Sequence, residues 1–376
     1  MGAAKRRSEE LTIRVNAFLN KLSDRDTLPV AASELEAIAR GLPSEGFAPF
    51  LKCISSTDSS EKSPVRRYSV RLLAVMSAAH GDALSPHLSR MISAVLRRVR
   101  DPDSAVRSAC VEAIKSIAAH VNSQPFAAIL TPLVQTLIQE QDSNAQLGTA
   151  LCLSAAVEAS PEPDTAELSK ILPKLLKLSR QDSFKAKPAL ISFITTAVNA
   201  GATISTRKPS NEIVSTAIEF LSSEDWAARK AAAELLQGIA TVDKNSTPEI
   251  QTACVAALQT RRFDRVKLVR ETMNRALEIW KDVDTDESPP EVRITSSPPS
   301  SCSSSISSSQ KSSITEENHQ DLEEFSLIRK QLLKIENQQS DLLQLLQRFM
   351  GSSQKGMNSL EKRVDGLEKV LDEMSS

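Results

Sequence analysis

The 376-residue sequence predicts an all-α protein, a HEAT/armadillo-type helical solenoid of about seven repeats followed by C-terminal coiled-coil-like helices. Three observations carry that expectation: helical segments recur at near-constant spacing, the composition favours helices, and the pattern turns heptad-like after a Ser/Pro-rich interruption. Arg66, Arg107, Gln146, Lys187, Arg229 and Arg270 each stand early in one segment, with separations of 41, 39, 41, 42 and 41 residues. A period of about 40, filled by two helices and short turns, belongs to such arrays. One helix pair cannot bury its apolar stripe alone, so neighbouring pairs stack on a shared core.

Taken in order, a first and less regular copy is expected at LPVAASELEAIARGL, residues 28–42. SPVRRYSVRLLAVMSA follows from 63, DSAVRSACVEAIKSIAAHV from 103 and SNAQLGTALCLSAAVEA from 143. SFKAKPALISFITTAV begins at 183, DWAARKAAAELLQGIA at 225 and VKLVRETMNRALEIW at 266. Between them, HLSRMISAVLRRV (87–99), FAAILTPLVQTLIQ (126–139), ELSKILPKLLKL (167–178) and EIVSTAIEFLSS (212–223) place Leu, Ile or Val at helical spacing. Alanine-rich runs such as AARKAAAELL allow close helix approach. The solenoid is assigned to residues 1–282.

Residues 283–317 turn acidic and then Ser/Pro-rich without hydrophobic periodicity, which reads as a disordered linker. Ser288 and Ser297 each precede a proline and are candidates for proline-directed phosphorylation, although such dipeptides are common in any Ser/Pro-rich tract. From 318 to 376 the chain reads as helical again. Phe325, Ile328, Leu332, Ile335, Gln339, Leu342, Leu346 and Phe349 fall on a and d positions, with Gln339 the polar exception. After GSSQKG, a second run places Met357, Leu360, Val364, Leu367, Leu371 and Met374 in a shifted register. Two short coiled-coil segments and a helical hairpin both fit. So narrow a stripe needs a partner, most simply a second copy of the chain.

Hydrophobic residues make up 40%, charged residues 25% and aromatics only 3%, which suits helices better than sheets. Net charge is −1, yet residues 1–280 hold 35 Lys+Arg against 30 Asp+Glu, and 281–376 hold 11 against 17. An excess of five cations is weak grounds for nucleic acid, which is not expected as a partner. The five cysteines, Cys53, Cys110, Cys152, Cys254 and Cys302, form no CxxC pair, so zinc and disulfides are not expected and a reducing compartment fits. The start, MGAAKRRSEE, has no apolar run, Arg6 stands where a myristoylation signal wants Ser or Thr, and no stretch approaches membrane-span length. A soluble cytoplasmic protein is expected. His80, His87, His120 and His319 sit in no metal or catalytic pattern, and no phosphate loop occurs. His80 and His120 end helices, where they help satisfy free carbonyls. Neither enzymatic activity nor a cofactor is expected.

What remains is surface. In a helix-pair repeat the turns inside each pair line one edge, and their residues are mostly cationic. Lys62, Arg66 and Arg67 come first, then Arg97, Arg98, Arg100 and Arg107. EQDSNAQ carries no cation; Arg180, Lys185 and Lys187 follow, then Trp226, Arg229 and Lys230, then Arg261, Arg262, Arg265 and Lys267. Such a row with one aromatic reads as a docking strip for an acidic partner. The turn aspartates and Arg66, Arg107, Arg229 and Arg270 also have a structural use, capping helices and bonding neighbouring turns. Trp226 has two readings, packing on the next repeat or meeting a partner. An adaptor that binds protein on its concave helix face is the alternative function.

Four stretches, RDPDSAVRSACVEAI, SSEDWAARKAAAELLQGIA, RRFDRVKLVRETMNRALEIWKD and the tail from IRKQLLKIENQQ to VLDEM, resemble the Tortifolia/Spiral family of plant microtubule-associated proteins. The resemblance covers nearly all of the chain outside 283–317. It implies a TOG-like HEAT array that binds tubulin or microtubules in the cytoskeleton, a C-terminal region for self-association, and a role in cortical microtubule organisation and directional cell growth. Trp226, Arg229 and Lys230 resemble the W-x-x-R-K turn of TOG modules, although there the tryptophan sits in the first repeat and here in the sixth.

Overall fold

The computed structural model describes residues 2–202, 211–242 and 247–282. All belong to one compact unit, Met1–Pro290. The expected linker, the heptad positions from Phe325 to Met374, Ser288, Ser297, Cys302 and His319 lie outside the described residues. Among those residues there are no strands. The α-helices, in chain order, are α1 (Gly2–Lys21), α2 (Leu28–Arg40), α3 (Ser44–Ser55), α4 (Ser63–His80), α5 (Leu88–Leu96), α6 (Ser104–His120) and α7 (Ala127–Gln139). They continue with α8 (Ser143–Ala159), α9 (Thr165–Ser179), α10 (Lys187–Asn199), α11 (Asn211–Phe220), α12 (Trp226–Val242), α13 (Pro248–Arg261) and α14 (Lys267–Asp282).

These elements pair into seven repeats. The even-numbered helices stack on one another in chain order to form one layer, and the odd-numbered helices form the other. The period of the sequence is therefore the period of the fold. α1, α3 and α13 complete pairs that the pattern left half-empty, and α10 starts at Lys187 rather than near 183. Pro188 stands in its first turn, where the missing N–H costs nothing, while Phe184 is buried (1% exposed) just ahead of it.

Helix starts follow capping chemistry. Asp103 Oδ1 accepts from Ala105 N at 2.8 Å, Asp142 Oδ1 from Ala145 N at 2.8 Å, and Asp164 Oδ1 from Ala166 N and Glu167 N at 3.0 Å each. α4 ends at Gly81, whose φ of +51° is a conformation that residues with a Cβ seldom adopt. Ala231, Ala232 and Ala233 of α12 are fully buried, so small side chains set the close spacing within the even layer. Polar side chains tie repeat to repeat as well: His80 Nε2 lies 2.7 Å from Ala39 O, and Ser116 Oγ donates to Ala74 O at 2.8 Å. Cys53, Cys110, Cys152 and Cys254 are unpaired and buried, and burial pushes the Cys110 and Cys254 thiols up to about 12. They act as small core hydrophobes.

Candidate functional site: the turn edge of the solenoid

The turns within repeats two to seven (56–62, 97–103, 140–142, 180–186, 221–225 and 262–266) are joined to one another by side chains. In repeat two, Lys62 Nζ donates to Ser23 O of the preceding turn at 3.0 Å. Arg66 reaches forward with two nitrogens to Asp101, Nε–Oδ2 at 2.7 Å and Nη2–Oδ1 at 3.0 Å, and its pKa is raised by that bond. Ser63 Oγ donates to Asp103, which holds that carboxyl below the usual range. Repeat three reaches back: Arg97 donates to Ser55 O, and Arg98 to the carbonyls of Thr57 and Asp58. Arg100 pairs forward with Glu140 at 2.6 Å, and Arg107 binds its own turn through the carbonyls of Asp101 and Pro102.

Repeat four has no cation in its turn, and Gln146 substitutes as a neutral link. Its Nε2 donates to Glu140 O at 3.0 Å while its Oε1 accepts from Lys185 N at 2.8 Å. In repeat five, Arg180 meets Thr216 Oγ1 at 2.8 Å and Glu219 at 3.3 Å. Lys185 Nζ bonds Asp182 O at 2.9 Å, and Lys187 lies 3.9 Å from the Asp182 carboxylate. Repeat six repeats the arrangement of repeat two: Arg229 grips Asp264 through Nε–Oδ2 at 2.6 Å and Nη2–Oδ1 at 3.0 Å. Hydrogen bonding from Arg229 holds the Asp264 carboxyl below its ordinary value. Lys230 pairs with Glu234 one turn along the same helix.

These contacts sort the expected docking residues. Arg66 and Arg229 have side chains only 11% and 15% exposed, and Arg98 is 5% exposed. They do not belong on an exposed strip. Each guanidinium is consumed by carbonyls or a carboxylate of an adjoining turn, because a buried charge must be bonded. Lys62, Arg97, Arg100 and Lys185 are exposed yet bonded within the chain. Arg67 lies over the Tyr68 ring at 5.2 Å. In repeat seven, Arg261, Arg262 and Arg265 are exposed and their side chains have no acidic partner among the described residues, while Lys267 has Glu271 at 3.7 Å. Trp226, at the first position of α12, is 46% exposed.

One exposed side chain escaped the sequence reading. Phe263 is 79% exposed in the seventh turn, with the Arg262 guanidinium 4.6 Å from its ring centroid. Its signal was an aromatic between arginines outside any helical period. A second feature lies on the even-numbered layer, where the residues lining an apolar groove of about 800 Å³ include Ala74, Ala78 and Ala119 together with Arg71, Lys115 and Glu112. Among the described residues there is no cluster of potential metal ligands, and no helix is long and apolar enough to cross a membrane.

Residues 9–282 match the family profile described as TORTIFOLIA1 N-terminal. The chain is similar to TORTIFOLIA1-like protein 4 of Arabidopsis thaliana, 54% identical over 278 residues that cover 74% of this chain and 44% of that protein. It is 30% identical over 286 residues to the microtubule-associated protein TORTIFOLIA1 of the same plant, covering 73% and 33%. The matched region thus spans about half or less of the length of these relatives. Among solved structures, Kap121p bound to Pho4p aligns with 73% of this chain and 29% of its own, at 15% identity and a TM-score of 0.46.

Proposed function

This chain belongs to the TORTIFOLIA1 family, and from that membership we propose that it is a non-enzymatic microtubule-associated protein. Its solenoid contacts acidic tubulin through the turn edge, and its C-terminal heptads join copies so that several weak contacts act together. In this reading it works in the cytoplasm on the cytoskeleton, organising cortical microtubules and directional growth, and neither nucleic acid nor membrane is a partner. The observation that carries the reading is the seventh turn, where Arg261, Arg262 and Arg265 stand exposed without acidic partners among the described residues. Charges not consumed within the fold are available to a partner.

The test is co-sedimentation of the full chain with stabilised microtubules across a salt series. Wild type should pellet with salt-sensitive affinity. The triple variant Arg261→Glu/Arg262→Glu/Arg265→Glu should bind at least about tenfold more weakly, roughly 1.4 kcal/mol, with a shallower salt dependence. Unchanged binding would remove this edge as the contact. Leu332→Asp with Leu342→Asp should abolish self-association in sedimentation equilibrium and weaken pelleting of an otherwise folded chain. The groove on the even-numbered layer favours a second reading, an adaptor for another protein. That reading predicts binding that tolerates salt and ignores turn charges.

A further inference from the structure

We propose that the sixth and seventh turns form an aromatic–cation clamp for a flexible, glutamate-rich peptide segment. The inference rests on the microtubule reading only in taking that segment to belong to the acidic tubulin surface.

Trp226 and Phe263 are 46% and 79% exposed on neighbouring turns. Large rings left in water mark contact sites when charged groups surround them. The two-point bond from Arg229 to Asp264 ties the turns together, one helical turn beyond Trp226 and one residue beyond Phe263. Arg262 supports the Phe263 ring from 4.6 Å. Arg261, Arg265 and Lys267, in the same seventh turn or within a few residues of it, are exposed as well.

The other turns lack this combination. Lys62 and Arg97 are bound to backbone carbonyls, Arg100 to Glu140 and Arg180 to Glu219, and no exposed aromatic accompanies them. The local charge also orients the occupant. Glu224 and Asp225 are exposed on the α11 side of Trp226 and repel carboxylates. The segment's glutamates therefore lie over the seventh turn, and its backbone or an apolar side chain covers Trp226. Among the described residues Arg261, Arg262 and Arg265 have no ion pair to fix their geometry, so they adapt to a flexible chain rather than demand one rigid surface.

The chain carries its own reporter. Of its two tryptophans, Trp280 is fully buried, so an emission change on adding peptide reads Trp226. A synthetic oligoglutamate peptide containing one leucine should shift and quench the emission of the full chain saturably, and Trp226→Phe should remove the change. Phe263→Ala, and separately Arg261→Glu/Arg265→Glu, should weaken the apparent affinity about fivefold or more with unaltered circular dichroism. Lys62→Glu/Arg67→Glu should leave it unchanged. The proposal falls if the peptide leaves the emission unaltered, or if the second-turn variant costs as much as the seventh-turn one. Microtubule pelleting, run in parallel, separates the two ideas. Wild type and Phe263→Ala pelleting equally without a peptide response would overturn the clamp alone. A clamp that binds peptide in a chain that never pellets would overturn the microtubule reading alone.

Discussion

Arg229 and Asp264 form a two-point ion pair between successive repeats, and Arg66 and Asp101 form the same pair 163 residues earlier for both members. In each case the third guanidinium nitrogen, Nη1, donates to carbonyls of its own turn, Ser223 and Glu224 in one and Glu61 in the other. One side chain thus fixes its own turn and ties it to the next.

Removing either partner should therefore be expensive. The Arg229 and Asp264 side chains are 15% and 9% exposed, so Arg229→Ala strands a largely buried carboxylate. A loss of about 3 kcal/mol is expected in urea denaturation. Because the two groups touch, the double variant with Asp264→Ala should cost less than the sum of the singles. The difference should be about 1–3 kcal/mol of coupling.

The same pair predicts an acid limb. Arg229 bonding depresses the Asp264 pKa in the folded chain, so the contribution to stability is fully present above the unfolded carboxyl value of about 3.9. It is lost as pH falls through the lower folded value. Asp264→Asn should start less stable at pH 7 and lose less on acidification. The check is the urea midpoint of both proteins from pH 7 to pH 3.

Two helix glycines should answer oppositely to alanine. A Cβ on Gly148 would sit 2.9 Å from Val99 O and 3.3 Å from Val99 Cβ, against backbone that has little room to move. Gly148→Ala should destabilise by about 1–3 kcal/mol despite its better helix propensity. At Gly238 the obstacle is Asn199 Oδ1 at 2.6 Å, the end of a side chain that rotates away. Gly238→Ala should be neutral or gain up to about 1 kcal/mol. Thermal unfolding of both variants tests the contrast.

The repeat was legible because one register position does the same work in most repeats. Arg66, Arg107, Gln146, Arg229 and Arg270 all bond turn carbonyls, and that shared duty kept a polar residue at near-constant spacing. α3 was harder to see because Pro49 lies inside it. α13 offers only Ile250, Cys254 and Leu258 as a sparse buried stripe, and the polar start of α1 obscures its apolar face. At the turn edge, sequence spacing separated cations from helices but not used cations from free ones. Arg97 and Arg98 bond carbonyls of the preceding repeat and Arg100 the Glu140 carboxylate of the next, whereas Arg261 and Arg265 find no acidic partner among the described residues, and nothing in the local sequence distinguishes the two sets. Phe263 escaped because exposure of a turn aromatic depends on the neighbouring repeat, which no local pattern encodes.

Trp280 should show where the array opens first. It is fully buried in α14, its Nε1 donates to Leu236 O at 3.0 Å, and its own carbonyl accepts from Gln251 Nε2 at 3.1 Å. One residue therefore joins α12, α13 and α14 by packing and by two hydrogen bonds. Trp280→Ala removes the largest buried side chain of the terminal repeat and should cost about 3–5 kcal/mol. Trp280→Phe keeps much of the apolar volume and should cost about 1–2 kcal/mol, chiefly the lost bond to Leu236 O. In a stack stabilised between nearest neighbours, such a loss does not spread evenly. Hydrogen exchange of Trp280→Ala should show α13 and α14 unprotected while α4 and α6 keep wild-type protection. Equal loss across all repeats would mean that the solenoid unfolds as one unit. Because Asp264 leads into α14, opening this repeat also releases Arg229 and unties the sixth turn from the seventh.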